Sequence, residues 1–293
     1  MQLNIKTKIS IIKKIIKFNF INLIRKLLRF INNYFIYLSN NNPLTNKPQM
    51  TKSYYLNLAD DASKKIYKEV DIFEAKSNYK IDQNWIDELA LATQVVNKDS
   101  EICYAHGRIL YSSLRKRIIQ LNKEKNVCIF ETGTARGFSS LCMAKAIHDS
   151  NISGKIITLD QLPHGQLIYW NNIFDHTKGK ISRKKLLENW KFLSEQYIIF
   201  LTGDSRVLGN SLNFNRVHFA FLDGCHTYED VFFEFNVIQK HQETDDIIIF
   251  DDYTNNYYNQ VVKAVDEICD KFMYDKQLIK LNEQRCLLVA TKK

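Results

Sequence analysis

The sequence predicts an α/β fold: a doubly wound, mostly parallel seven-stranded sheet with a helical N-terminal extension. Two observations carry that prediction. Short, continuous apolar runs appear after Lys125, at Val127–Phe130, Ile156–Leu159, Tyr197–Leu201, Val217–Leu222, Ile247–Phe250 and Cys286–Ala290. Segments that mostly read as helix separate the first five, among them Ser139–His148, Lys184–Ser194 and Glu229–His241. Strands that are apolar throughout and alternate with helices are buried on both faces, which is the signature of a parallel sheet. Val261–Phe272 reads as one more helix. Tyr274–Ile279 and Cys286–Ala290, joined through Asn282-Glu283, then read as a hairpin-like edge that supplies the seventh strand.

The chain divides into residues 1–50, residues 51–125 and residues 126–293. At 293 residues it can bury a sizeable core. With 45% apolar and 25% charged residues it has a globular balance, which excludes a disordered chain. The formal charge is +9, yet residues 1–50 hold nine basic residues and no acid. The remaining 243 residues carry 32 basic and 32 acidic side chains, so the body is not a basic nucleic-acid-binding surface. Six scattered cysteines without a C-x-x-C pair point to reduced thiols rather than disulfides or a zinc site.

In the first division, Ile9, Ile12, Ile16, Phe20, Leu23, Leu27, Phe30, Tyr34 and Leu38 recur at steps of three or four, one face of a long helix. Its longest uncharged, strongly apolar stretch, Phe18–Ile24, is too short to cross a bilayer, and no small-residue cleavage site follows it. Two readings stand. Residues 1–40 lie on an anionic membrane as a peripheral contact at its inner, cytoplasmic face. Alternatively, the stripe docks on protein, either the main domain or a second copy in a homo-oligomer. Ser39 to Pro48 reads as a linker. Residues 54–122 read as helical, with Asp82 as an N-cap and Ile102–Leu121 as the last helix.

The functional signal is the set of polar residues that closes each apolar run. Glu131, Asp160, Gly203-Asp204-Ser205, Asp223 and Asp251-Asp252 succeed the first five runs. In an open parallel sheet, ligands bind beyond the carboxyl ends of the strands. A single acid there is commonly a helix N-cap. Six converging on one rim repel each other and lose hydration, so ribose hydroxyls, backbone amides, a cationic ligand or a metal must compensate them. The first turn, Glu131-Thr132-Gly133-Thr134-Ala135-Arg136-Gly137-Phe138-Ser139, joins a buried strand to a helix N-terminus with glycines four apart. A ligand can approach that backbone closely. It is not G-x-G-x-x-G, which weighs against a nicotinamide dehydrogenase. Asp160, after the second strand, suits two ribose hydroxyls.

These features resemble the class I S-adenosylmethionine-dependent methyltransferases, whose fold is Rossmann-like. The E-T-G-T-A-R-G-F-S-S stretch is similar to their first motif, with Ala135 where a third glycine is frequent. F-L-D-G-C-H-T-Y-E-D, I-I-I-F-D-D-Y and V-V-K-A-V-D-E-I are similar to a bacterial subgroup found beside sugar and natural-product tailoring enzymes. The match spans about residues 100–290 and omits the first fifty. The resemblance implies S-adenosylmethionine as cofactor, met by Glu131, Gly133, Thr134, Gly137 and Ser139. Asp160 and Gln161 would lie at the ribose, Asp204-Ser205 at the adenine, and Asp223 beside the reacting centre.

Asp223, Asp251 and Asp252 further resemble the acidic ligand set of the magnesium-dependent O-methyltransferases, some of which carry Asn at the second position of the pair. Carboxylate oxygens suit Mg²⁺, which would lower the pKa of a bound hydroxyl and orient it. The other reading is that the pair caps the next helix. His226, three residues past Asp223, stands where catechol-type relatives place a basic catalytic residue, and an imidazole suits proton removal near neutral pH. It could instead bond Tyr228 or Glu229 and orient its loop. His106 could close over the cofactor or lie at the surface. Residues 161–196 form a long insertion, of the kind that builds lids and substrate pockets.

The expected activity is O-methylation of a hydroxyl on a sugar, glycan or related small molecule, assisted by a divalent metal. Two alternatives remain: a hydroxylase-like enzyme on the same fold, and a membrane-tethered protein that binds cofactor without catalysis.

Overall fold

The structure, a computed structural model, describes Lys47, residues 50–121 and residues 126–293. The basic helix expected over residues 1–40 and most of the linker lie outside the described residues. Residues Pro48–Lys293 form one compact unit.

Seven strands form the sheet: β1 (Asn126–Thr132), β2 (Ser153–Asp160), β3 (Ile198–Thr202), β4 (Phe219–Leu222), β5 (Ile247–Phe250), β6 (Tyr274–Lys280) and β7 (Cys286–Lys292). Their order is β3-β2-β1-β4-β5-β7-β6. β1 to β5 are parallel, and β7 runs antiparallel between β5 and β6. Every residue of β4 and β5 is buried, as continuous apolar runs require. The order reverses between β1 and β4, so the crevice for a ligand opens over the ends of these strands.

Four helices precede the sheet: α1 (Lys52–Ser63), α2 (Lys68–Ser77), α3 (Gln83–Thr93) and α4 (His106–Gln120). Asp82 caps α3 by accepting from the Trp85 amide at 2.8 Å. The helix expected from Ile102 begins only at His106, because Ile102, Cys103 and Tyr104 run irregularly and are buried. Within the sheet domain, α5 (Phe138–Asp149), α6 (Lys191–Tyr197), α7 (Tyr228–Ile238) and α8 (Asn255–Lys271) connect the strands. A core of Phe130, Val217, Phe235, Ile248, Val265 and Leu288 joins α7 and α8 to one sheet face. All six cysteines are free, and Cys225 alone is exposed.

β1 is longer than its apolar run and incorporates Glu131 and Thr132. α8 starts six residues earlier than the apolar period indicates and kinks at Tyr258, whose φ of −133° and ψ of 54° are not helical.

α4 packs closely on α5 at Gly107. A Cβ there would lie 2.6 Å from Phe138 Cε1 and 2.7 Å from Cys142 Sγ. Gly107→Ala would gain about 1 kcal/mol of helix propensity. It would also push two buried, unyielding side chains apart, an overpacking cost of about 1–3 kcal/mol. The overpacking is expected to win, so urea titration of Gly107→Ala should read a net destabilisation; a more stable variant would show that the contact is slack.

Candidate active site

The turn after β1 takes its shape from two left-handed glycines and one left-handed alanine. Gly133 has φ +85°, and a Cβ on it would meet the Asp223 carbonyl oxygen at 2.1 Å, so only glycine fits between β1 and β4. Gly137, φ +89°, begins α5, and its amide donates to the Thr134 carbonyl at 2.7 Å. Ala135 holds φ +45° without a glycine's freedom. Asp160 restrains it: Oδ2 accepts from the Ala135 amide and Oδ1 from the Leu162 amide, both at 2.6 Å. A carboxylate has about four acceptor sites, so these two bonds leave room for two ribose hydroxyls.

Two cavities open over this turn, and Gly133 lines both. The smaller, about 320 Å³, is lined by Gly133, Asp160, Gln161, Gly203, Ser205 and Cys225 among others. The larger, about 530 Å³, is lined by residues including Thr134, Ser139, His106, Asp223, Asp252 and Arg285. Gly133, Thr134, Ser139, Asp160, Gln161, Ser205 and Asp223 thus each line one or both of these cavities. Gly137 shapes the loop without lining either cavity.

Two expected cofactor contacts are placed elsewhere. Glu131 lies inside β1, fully buried, where its Oε2 accepts from the Ser140 hydroxyl. Burial raises its pKa. Asp204 is exposed and caps a short helical turn by accepting from the Arg206 amide at 2.8 Å, while its neighbour Ser205 faces the smaller cavity. The capping explanation fits Asp204 alone.

The acids after β4 and β5 are compensated by residues of this chain. Asp251 accepts from Arg285 through both oxygens, Nε to Oδ1 at 3.0 Å and Nη2 to Oδ2. Burial alone would raise the Asp251 pKa, but the Arg285 charge and its hydrogen bonds outweigh it and hold the carboxyl below its usual range. Asp251 therefore does not stand open as a metal ligand, contrary to the expectation from sequence. Asp223 and Asp252 instead share His226, whose Nε2 lies 2.8 Å from Asp252 Oδ2 and 3.8 Å from Asp223 Oδ1. Hydrogen bonds to Asp223 and then Asp252 raise the His226 pKa well above its ordinary value. Burial, then the Asp251 charge, raises that of Asp223. The His226 Nε2 thus faces the two carboxylates that close β4 and β5.

Sequence reasoning missed the cations. Arg285 sits on the β6–β7 turn and donates through Nη1 to the Cys103 carbonyl at 3.1 Å, tying that turn to the chain before α4. His106, which sequence left between cleft and surface, is buried at the larger cavity, with burial and then Arg285 lowering its pKa. The insertion 161–196 lines the smaller cavity through Gln161 and Leu162, whereas the lining of the larger comes from residues within 93–106, 133–139, 251–258 and 282–285 together with Asp223. It is not a lid over the second cavity.

Arg285→Met would leave Asp251, 1% exposed, as a buried charge without its partner. The expected loss is about 3–5 kcal/mol of folding stability by urea titration, and a loss under about 1 kcal/mol would show that the pair is solvated like a surface one.

Residues 130–253 match the family model described as a methyltransferase domain. No curated protein sequence matches the chain. Among solved structures, cofactor-bound Rv0187 from MTB is similar with a TM-score of 0.50 and 13% identity, over 73% of this chain and 91% of the other. The O-methyltransferase NovP is similar with a TM-score of 0.50 and 14% identity, over 83% of this chain and 100% of the other. At those identities the likeness is one of fold. The glycine turn and Asp160 lie within the matched residues 130–253, so the likeness to a methyltransferase domain and the candidate cofactor site fall on the same segment.

Proposed function

We propose that the chain methylates a hydroxyl oxygen of a small molecule, a sugar or a glycan, with a divalent cation at Asp223, Asp252 and His226. The observation that carries this reading is that Gly133 lines both cavities. Adenosine in the smaller one, with its ribose on Asp160, would direct the sulfonium toward Gly133. The methionine tail would pass Ser139, and the acceptor would enter the larger cavity beside Asp223. NovP, of the same fold, is named an O-methyltransferase, which agrees with an oxygen acceptor.

The donor set favours a divalent cation. One atom each from Asp223, His226 and Asp252 lies within 4.8 Å of the others. Two carboxylates suit Mg²⁺, and the imidazole extends the range to Mn²⁺. His226 takes the ligand position that sequence gave to Asp251, since Arg285 occupies the latter. When bound, such an ion would hold an acceptor oxygen and lower its pKa. The chain's own groups do the rest. Asp160 and the glycine turn fix the cofactor, and buried Phe138 and Phe221, flanking His106, limit water. Methyl transfer is an in-line displacement, so this alignment supplies most of the catalysis.

The first division keeps its place in the reading as a peripheral contact with an anionic membrane at its cytoplasmic face. Its support is the run of nine basic residues and the apolar stripe. No described helix is long and apolar enough to cross a membrane.

Calorimetry with S-adenosylhomocysteine tests the cofactor site. Asp160→Ala removes a charge-assisted acceptor and is expected to weaken binding roughly ten- to hundredfold. Equal affinity in wild type and variant would remove Asp160 from the site. For the metal, Mn²⁺ titration followed by electron paramagnetic resonance should find one site, abolished by Asp223→Asn and by Asp252→Asn. A wild-type protein that leaves Mn²⁺ free would remove the cation and leave the cofactor reading intact. Product mass separates methylation from hydroxylation, as the gain of a methyl group against the gain of an oxygen.

A further inference from the structure

Arg183 is one of the largest fully buried side chains in the protein, and its hydrogen bonds go to main-chain carbonyls rather than to a carboxylate. Nε donates to the Ala135 carbonyl at 2.8 Å and Nη2 to the Leu162 carbonyl at 3.0 Å, while buried Nη1 has no partner. The guanidinium lies 5.8 Å from the ring centroids of both Trp170 and Phe200. Burying a cation is costly unless it is paired and hydrogen-bonded. Burial lowers the Arg183 pKa, and the charges of Asp160 and Glu131 act against that shift.

The two carbonyls come from residues of different cavities. Ala135 lines the larger cavity and Leu162 the smaller. Ala135 is also the non-glycine residue held at φ +45°, a conformation that an L side chain disfavours. Its amide is already bonded to Asp160. The neighbouring residues lean on the same insertion: Arg136 Nε donates to the Trp170 carbonyl at 2.7 Å, and a Cβ on Gly137 would lie 2.8 Å from Leu187 Cδ1.

We propose that Arg183 is a positioning residue for the cofactor: it holds the Ala135 carbonyl while Asp160 holds the Ala135 amide, and so keeps the glycine turn in its binding shape. The insertion 161–196 then acts as a brace behind the cofactor loop. This inference rests on the S-adenosylmethionine reading of the cleft and adds a residue that touches neither cofactor nor acceptor.

The test is calorimetry of the full chain with S-adenosylhomocysteine in four proteins: wild type, Arg183→Met, Ala135→Gly and the double variant. Arg183→Met is expected to weaken binding roughly ten- to hundredfold, the penalty for misplacing a binding loop by about an ångström. Ala135→Gly removes the strain that the clamp opposes. In that background the loss from Arg183→Met is expected to shrink to about threefold, because residues sharing one constraint are not additive. A merely structural role would give the same loss in both backgrounds, and that result overturns the proposal. Unchanged affinity in Arg183→Met overturns it as well. If Arg183→Met does not fold, Arg183→Lys supplies the comparison: a loss relieved by Ala135→Gly supports the brace, and no loss or an unrelieved loss rejects it. A wild-type chain that does not bind S-adenosylhomocysteine at all rejects the cofactor reading itself, and this proposal with it.

Discussion

The site depends on how the protein tolerates several carboxyl groups at the ends of adjacent buried strands. Charges of one sign at the mouth of a sheet repel each other and lose hydration together, so each needs a partner supplied by the chain. Here the partners are distinct. Arg285 neutralises Asp251, His226 bridges Asp223 and Asp252, and two backbone amides hold Asp160. Glu131 is withdrawn into the sheet against Ser140. This division of labour leaves Asp160 fixed beneath one cavity and the Asp223–Asp252 pair beside another, with Gly133 between them.

The constraint also explains why the chain before α4 and the β6–β7 turn meet. Arg285 reaches Asp251 with one edge of its guanidinium and the Cys103 carbonyl with another nitrogen. One cation therefore closes a wall of the larger cavity while neutralising its floor. The glycine turn is held by different means: Arg183, Trp170 and Leu187 meet its consecutive residues Ala135, Arg136 and Gly137. Electrostatic compensation shapes the acceptor side, and hydrogen bonding to main-chain atoms shapes the cofactor side.

Much of this was legible in the residues. Continuous apolar runs located five of the parallel strands, and their polar successors located the rim. Gly133 and Asp160 were legible as rim residues because each follows closely on a buried apolar run. The partners were not legible, for the same reason reversed. Arg285 lies 34 positions from Asp251 on a turn with no motif, and Arg183 lies 48 positions from Ala135 inside a segment of weak periodicity. Glu131 was misplaced by a two-residue difference in the end of β1, enough to turn a rim acid into a buried one. The pairing of His226 with both Asp223 and Asp252 was not legible either, because the two carboxylates come from different strand ends.

The most direct measurement is a crystal structure of the complex with S-adenosylhomocysteine. The account predicts the adenosine in the smaller cavity with both ribose hydroxyls on Asp160, the thioether sulfur at Gly133, and the homocysteine chain running toward Ser139. A nucleoside bound in the larger cavity, or away from Asp160, would contradict it.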